Sequence, residues 1–181
     1  MRNFCLVFGE ACIVKSTAVA KALHGAHVLA EFKQPVAHIV YKQQSGMGCQ
    51  LGRSHGEFKG TDGLSYTAIN KIPPFINGTF SDVLAEGDRL SNLSFINRLN
   101  SWNVTTVHIY STDPVLGMKR RAERAARIGA KQNEQWVRGR RTKAYNLAGQ
   151  LPDCIWLDAA SIDVAEALAE LEVFKNLRSG G

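Results

Sequence analysis

A lysine followed by two hydroxyl residues, at a fixed distance behind a glycine that ends an apolar run, is an arrangement suited to holding phosphate. Phe4-Cys-Leu-Val-Phe8 is that run, Gly9 ends it, and Lys15-Ser16-Thr17 follows. The order and spacing are those of G-x-x-x-x-G-K-[ST] between a strand and a helix, except that Val14 stands at the second glycine. In such a loop, successive backbone N–H groups and the helix dipole bind an anion. The lysine reaches the terminal phosphates and the next hydroxyl ligates Mg²⁺. Gly9, Lys15, Ser16 and Thr17 are therefore the candidate nucleotide-binding residues, with Thr17 read equally as a helix-packing residue. A β-branched residue resists the close backbone approach and positive φ that glycine allows, so Ile13-Val14 predicts a distorted or narrowed nest.

Phosphoryl transfer further requires a second metal partner, charge neutralisation and an oriented nucleophile. Glu86 and Asp88 follow the apolar Val83-Leu84-Ala85, the place at a strand's carboxyl end where ligands gather in α/β sheets. One would hold Mg²⁺ with Ser16, Glu86 being the first choice, while the other orients substrate. The structural alternative is that Asp88 pairs with Arg89 or caps the next helix. Asp62, in a glycine-flanked loop, is either a helix N-cap or the general base for a substrate hydroxyl. Arg53 is either a bidentate clamp on a substrate phosphate or a solvated side chain, and Arg89 is a further candidate substrate contact. Arg138 and Arg141 lie three apart, share a predicted helix face and are placed over the transferring phosphate, with Arg140 pointing to solvent. Trp136 is read as helix core before base-stacking platform. His24, His27, His38 and His108 fall in predicted elements and are read as structural. His55 lies in the polar loop and is a possible substrate contact. Cys12 is a possible reactive thiol at a helix start.

Composition bounds these readings. The 181 residues, 45% hydrophobic and 21% charged, suit one domain with a substantial core and exclude extensive disorder. Net charge is +6, concentrated between Lys119 and Lys143, which suits polyanionic partners, a solvated helix face being the plainer explanation. The four cysteines include no C-x-x-C pair, so neither a disulfide framework nor a zinc site is expected. With no signal peptide and no apolar run near the ~20 residues a bilayer requires, a soluble, cytoplasmic protein is expected.

Strands are expected near 4–8, 27–31, 36–41, 81–85, 104–110 and 154–157, the last three after 36–41 being joined by helices. A glycine-rich turn at 45–48 implies a hairpin or a strand and bent loop before the polar segment 53–63. Helices are expected at 18–23, 64–72, 93–99, from Pro114 through the basic stretch, and at 136–148. Pro73-Pro74 should interrupt or end the second of these. Val164, Leu168, Leu171, Phe174 and Leu177 fall on one face of a single final helix, and residues 179–181 should fray. Alternating strands and helices predict a three-layer α/β/α sandwich around a mostly parallel sheet, as one domain over residues 1–178.

The segments Leu51-Gly-Arg53, Gly60-Thr-Asp-Gly-Leu-Ser65, Leu84-Ala-Glu-Gly-Asp-Arg-Leu90 and Gln132-Asn-Glu-Gln-Trp-Val-Arg-Gly-Arg-Arg-Thr-Lys143 resemble P-loop kinase-like nucleoside-triphosphate-binding proteins of a type often carried by bacteriophages. The resemblance covers Phe4 to about Leu157. It implies a nucleotide-kinase fold with a helical lid at about 119–143, ATP and Mg²⁺ as cofactors, and transfer to a nucleoside, nucleotide or nucleic-acid hydroxyl. Some relatives are thought to phosphorylate hydroxymethyl-pyrimidines in DNA, and the basic lid would then contact DNA. The group carries glycines where this chain has Cys12 and Val14. The alternative is accordingly a catalytically impaired protein that binds nucleotide or nucleic acid on the same fold.

Overall fold

The computed structural model describes residues 1–11, 14–44, 46–54, 60–128 and 133–181, the side chains of Arg124, Arg127 and Ile128 excepted. His55 and Cys12 lie outside the described residues. The first strand, β1 (Asn3–Gly9), is buried along its whole length. It lies between β5 (Asp82–Glu86) and β6 (Asn103–Tyr110), parallel to both. A strand covered on both faces reads as a continuous apolar run, which is why Phe4–Phe8 shows no polar alternation. Beyond β6, β7 (Ile155–Asp158) continues the parallel set. Beyond β5, β4 (Gly46–Leu51) is also parallel, and β3 (His38–Gln43) and β2 (Val28–Phe32) add antiparallel strands. Among the described residues the sheet order is β2-β3-β4-β5-β1-β6-β7.

Side chains alternate across β1 and divide the core in two. Phe4, Leu6 and Phe8 pack with α2 (Ala68–Asn77), α3 (Leu93–Ile96) and α5 (Glu134–Gln150). Cys5 and Val7 pack with α1 (Lys15–Ala22), α6 (Val164–Ala169) and α7 (Glu172–Arg178). The result is the expected three-layer sandwich with a mostly parallel sheet. No described residue of α4 (Pro114–Ile128) belongs to either core.

Two local expectations change. Helix α2 runs through Pro73 and Pro74 instead of ending at them. Ala68, Ile72 and Ile76 form a buried stripe on the core, and that burial outweighs the backbone hydrogen bonds the prolines cannot donate. The final helix is two helices, α6 and α7, separated at Leu171, whose backbone is extended. Arg178 closes the break by donating from Nη2 to the carbonyl of Ala169 at 2.7 Å. The break turns Phe174 and Leu177 under the sheet, where both are fully buried. Below the sheet, buried Asp82 accepts from Asn3 at 2.9 Å, Asn176 at 2.8 Å and Gln43 at 3.1 Å, joining β1, α7 and β3. The C-terminal residues are held as well, with Gln44 N–H donating to Ser179 Oγ at 3.2 Å.

Candidate phosphate-binding site

The carboxyl ends of β1 and β5 bring the two halves of the candidate site together. Val7 and Glu86 are register partners, and Gly87 N–H donates to Val7 O at 3.0 Å. Gly9 has a φ of +148°, and a Cβ there would fall 1.9 Å from the Ile109 carbonyl oxygen of β6. The glycine is thus required where β1 leaves the sheet. Val14 occupies the N-cap of α1 with no side-chain cap, so the N–H groups of the first turn have no side-chain acceptor there.

Ser16 Oγ donates to Glu86 Oε1 at 3.0 Å. This pairs the two residues expected to share a metal, although 70 positions separate them in the chain. Glu86 is 4% exposed, and burial raises its carboxyl above the usual range, against the lowering effects of Lys15 and the Ser16 hydrogen bond. Asp62 adds to the raising effect. Lys15 is itself buried and donates from Nζ to the carbonyls of Gly9, at 3.4 Å, and Glu10. It is folded onto the backbone of its own loop. Thr17 is exposed on α1.

Asp62 sits in a 3-10 turn (Thr61–Gly63) and caps no helix, since Gly60 and Thr67 hold the neighbouring N-cap positions. Its Oδ1 accepts the N–H of Asp88 at 2.7 Å, tying this loop to the end of β5. Gly60 makes the approach possible. Its φ is +61°, and a Cβ would lie 2.4 Å from Glu86 Oε2. Arg53 pairs with Gly60 through its backbone, at 2.9 and 3.2 Å, while its side chain is exposed. Arg89 stands 3.8 Å over the Tyr66 ring and donates to Asp62 O at 3.4 Å, so the Asp88–Arg89 pairing does not form.

Asp88 instead pairs with α5, through Arg140 and through Lys143 at 3.2 Å. The buried stripe Ala144, Leu147 and Ala148 decides which arginines turn inward. Arg140 is four residues before Ala144 and shares its face, whereas Arg138, six before, is rotated by about 120°. Arg138 is 83% exposed and, among the described residues, pairs only with Glu134, at 4.0 Å. Arg141, at the edge of the stripe, places Nε 3.1 Å from Glu10 Oε1 and so touches the phosphate loop. The expected Arg138–Arg141 pair is therefore split, and Arg140 is not a solvent residue. Trp136 is not core either, being 46% exposed under Arg140 at 5.1 Å.

Sequence reading did not single out Glu10, Lys143 or His108 as site residues. Glu10 follows Gly9 directly and Lys143 closes the last of the four quoted segments, so both signals were available in the order of the chain. His108 gives no such signal. It is fully buried beside Phe8, Tyr110, Tyr145 and Trp156, and neither ring nitrogen has a hydrogen-bond partner among the described residues. Burial, with a smaller effect of Lys15, lowers its pKa to about 4, so the ring is neutral at pH 7. No cluster of three or more His, Cys, Asp or Glu residues that could hold a metal exists among the described residues. Mg²⁺ does not require one, because it is usually held by one or two carboxylates together with substrate phosphates and water. Ser16 and Glu86 fit that role. Among the described residues, no helix is long and apolar enough to cross a membrane.

The family model P-loop Nucleotide Kinase3 matches residues 4–165. Searches of curated proteins and of solved structures return no match. With most of the chain covered by that model, from the first buried strand to the start of α6, this protein belongs to the P-loop Nucleotide Kinase3 family.

Proposed function

We propose that this protein binds a nucleoside triphosphate, ATP in the first instance, at the end of β1, on a kinase scaffold whose loop limits phosphoryl transfer. The observation that carries this reading is the position of Lys15, held on the carbonyls of Gly9 and Glu10, behind a helix entered through Val14. A triphosphate would draw Lys15 off those carbonyls and accept from N–H groups of the first turn of α1. Ser16 and Glu86 would hold Mg²⁺, which when bound neutralises phosphate charge. Thr17 would supply a second hydroxyl, Arg141 would approach from the Glu10 side, and the α4–α5 pair over about 119–143 would act as the lid. The exposure of α4 outside both cores supports a lid, as does the tie of α5 to Glu10 and Asp88.

A second reading is ATP-dependent transfer to a nucleoside, nucleotide or nucleic-acid hydroxyl, in a single domain of the host cytoplasm if the chain is phage-encoded. The Ser16–Glu86 contact at 3.0 Å favours it, because it pairs a loop hydroxyl with a strand-end acid. Asp62 would then act as base, with Asp88, Arg53 and Arg89 orienting the acceptor and Arg138 joining only on lid closure.

Mg-ATP should raise the melting temperature by several degrees near 100 times its Kd, through about 2.7 kcal/mol of linkage, and Lys15→Ala should abolish the effect. No stabilisation of the parent overturns the binding reading. With γ-labelled ATP and a panel of nucleosides, nucleotides and modified DNA, the binding reading expects little transfer by the parent and a gain in a Cys12→Gly, Val14→Gly double variant. Efficient transfer by the parent, lost in Lys15→Ala, selects the second reading.

A further inference from the structure

We propose that the apolar trough between β2 and the end of α2 is a binding site for a small planar aromatic molecule carrying one hydrogen-bond donor, of the size of indole. Its lining includes none of the residues of the candidate phosphate site, so the inference stands apart from the nucleotide reading. Sheet geometry builds the trough. Along β2, Val28 pairs with Tyr41 and Ala30 with Val40, so Leu29 is the extra residue of a bulge. Ala30 and Phe32 lie opposite Val40 and His38, and the bulge brings Leu29 to the same side. Met47, Phe75 and Phe80 complete the apolar wall. Leu29, Phe32 and Met47 are large apolar side chains left exposed there. The trough holds about 370 Å³, enough to enclose a small molecule.

His38 supplies the directed polar contact. It is 5% exposed, with Phe32 stacked on its ring at 5.1 Å and Phe75 and Phe80 at steep angles, 4.8 and 5.9 Å away. Nδ1 lies 2.7 Å from the Val36 carbonyl oxygen, which can only accept, so Nδ1 carries the proton. Nε2 is then the acceptor of the neutral ring, and it makes no hydrogen bond among the described residues. A buried acceptor without a partner is costly, and a ligand N–H or O–H satisfies it. The other lining residues select the ligand. None is a cation, so a phosphate has no counter-charge there. Besides His38 only Thr79 has a polar side chain, so a nucleobase would leave most of its donors and acceptors unpaired. Strand addition by a second copy or a peptide is disfavoured too. Among the described residues β2 ends the sheet, and it is five residues long, bulged and followed by Lys33, features that keep an edge from pairing.

The test is a titration of the full chain labelled with carbon-13 at its methionine methyls, followed by NMR. The three signals come from Met1, Met47 and Met118, and of these Met47 lines the trough. The probes are indole, 1-methylindole, which lacks the N–H, and thymidine. We expect indole to shift the Met47 signal saturably, with a Kd of about 1 mM or tighter, and to leave Met1 and Met118 in place. The methylated ring should bind about tenfold more weakly, the value of one buried hydrogen bond. His38→Phe should remove that difference, and Ala30→Phe, which fills the trough from the edge strand, should abolish the Met47 shift. Circular dichroism separates lost binding from lost fold. If His38→Phe does not fold, the two indoles and Ala30→Phe decide alone. No saturable Met47 shift with indole, equal affinity for the two indoles in the parent, or thymidine binding as tightly as indole overturns the proposal. So does sedimentation of the parent as a dimer whose dissociation on dilution moves the Met47 signal, which would assign the trough to a second copy.

Discussion

Glu86 combines the chemistry of the site with a cost to the fold. Its carboxyl is buried at a strand end, and burial raises its pKa despite Lys15 and Ser16. Below the unfolded-state pKa both states are protonated and nothing is lost. As pH rises through the window between the unfolded and folded values, the unfolded state ionises first, so stability falls, and the full loss remains above the folded pKa. Glu86→Gln should therefore melt above the parent at pH 7 and level with it at pH 3. In a chain of this length each kcal/mol recovered is worth about 2–4 °C. The same variant should lose its stabilisation by Mg-ATP. A lower melting temperature at pH 7 would show that the Ser16 and Lys15 contacts outweigh burial. The residue type and its strand-end position were legible in the chain. The contact with Ser16 was not, because it depends on the β1–β5 pairing.

At the scale of elements, α5 shows how a face is chosen. Three arginines and a lysine within residues 138–143 offer several helical pairings, and spacing alone favoured Arg138 with Arg141. The stripe of Ala144, Leu147 and Ala148 docks on the sheet and turns Arg140 to Asp88, leaving Arg138 in water. Arg140→Ala should cost about 1 kcal/mol, moderated by Lys143, which still reaches Asp88. Arg138→Ala should stay within about 0.5 kcal/mol. Urea denaturation with unchanged m separates the two. Equal effects would mean that the Asp88 pair contributes nothing to stability. Helix α2 carries the same lesson for the opposite reason, since the local rule for Pro73-Pro74 yields to the burial of Ile72 and Ile76.

Across the whole molecule, the split between α6 and α7 lets the C-terminal segment cover the sheet beneath β1, β3 and β5. Phe174 fills that layer, and Asn176 reaches the buried Asp82. Phe174→Ala should cost about 3–5 kcal/mol, read as a fall in urea midpoint. It should leave the affinity of Mg-ATP for the remaining folded protein within a few fold, because Lys15 and Glu86 are held by their own contacts with Gly9, Glu10 and Ser16. Loss of that affinity in a folded variant would show that the lower layer positions the phosphate loop.

Local order along the chain determined the class of the protein. A continuous apolar strand, a glycine, a lysine-hydroxyl pair and strand-end acids follow from residue type and period, which act over a few neighbours. The α/β sandwich was readable for the same reason. Tertiary structure alone decided which groups meet. Ser16 reaches Glu86, Asp62 binds the backbone of Asp88, Arg140 displaces Arg138, and Gly60 lies against the acid, because strand register and helix-face docking bring distant positions within hydrogen-bond reach. The phosphate loop itself stands between these two levels. Its lysine and hydroxyls were plain in the sequence, but only packing against Gly9 and Glu10 places Lys15 on its own backbone.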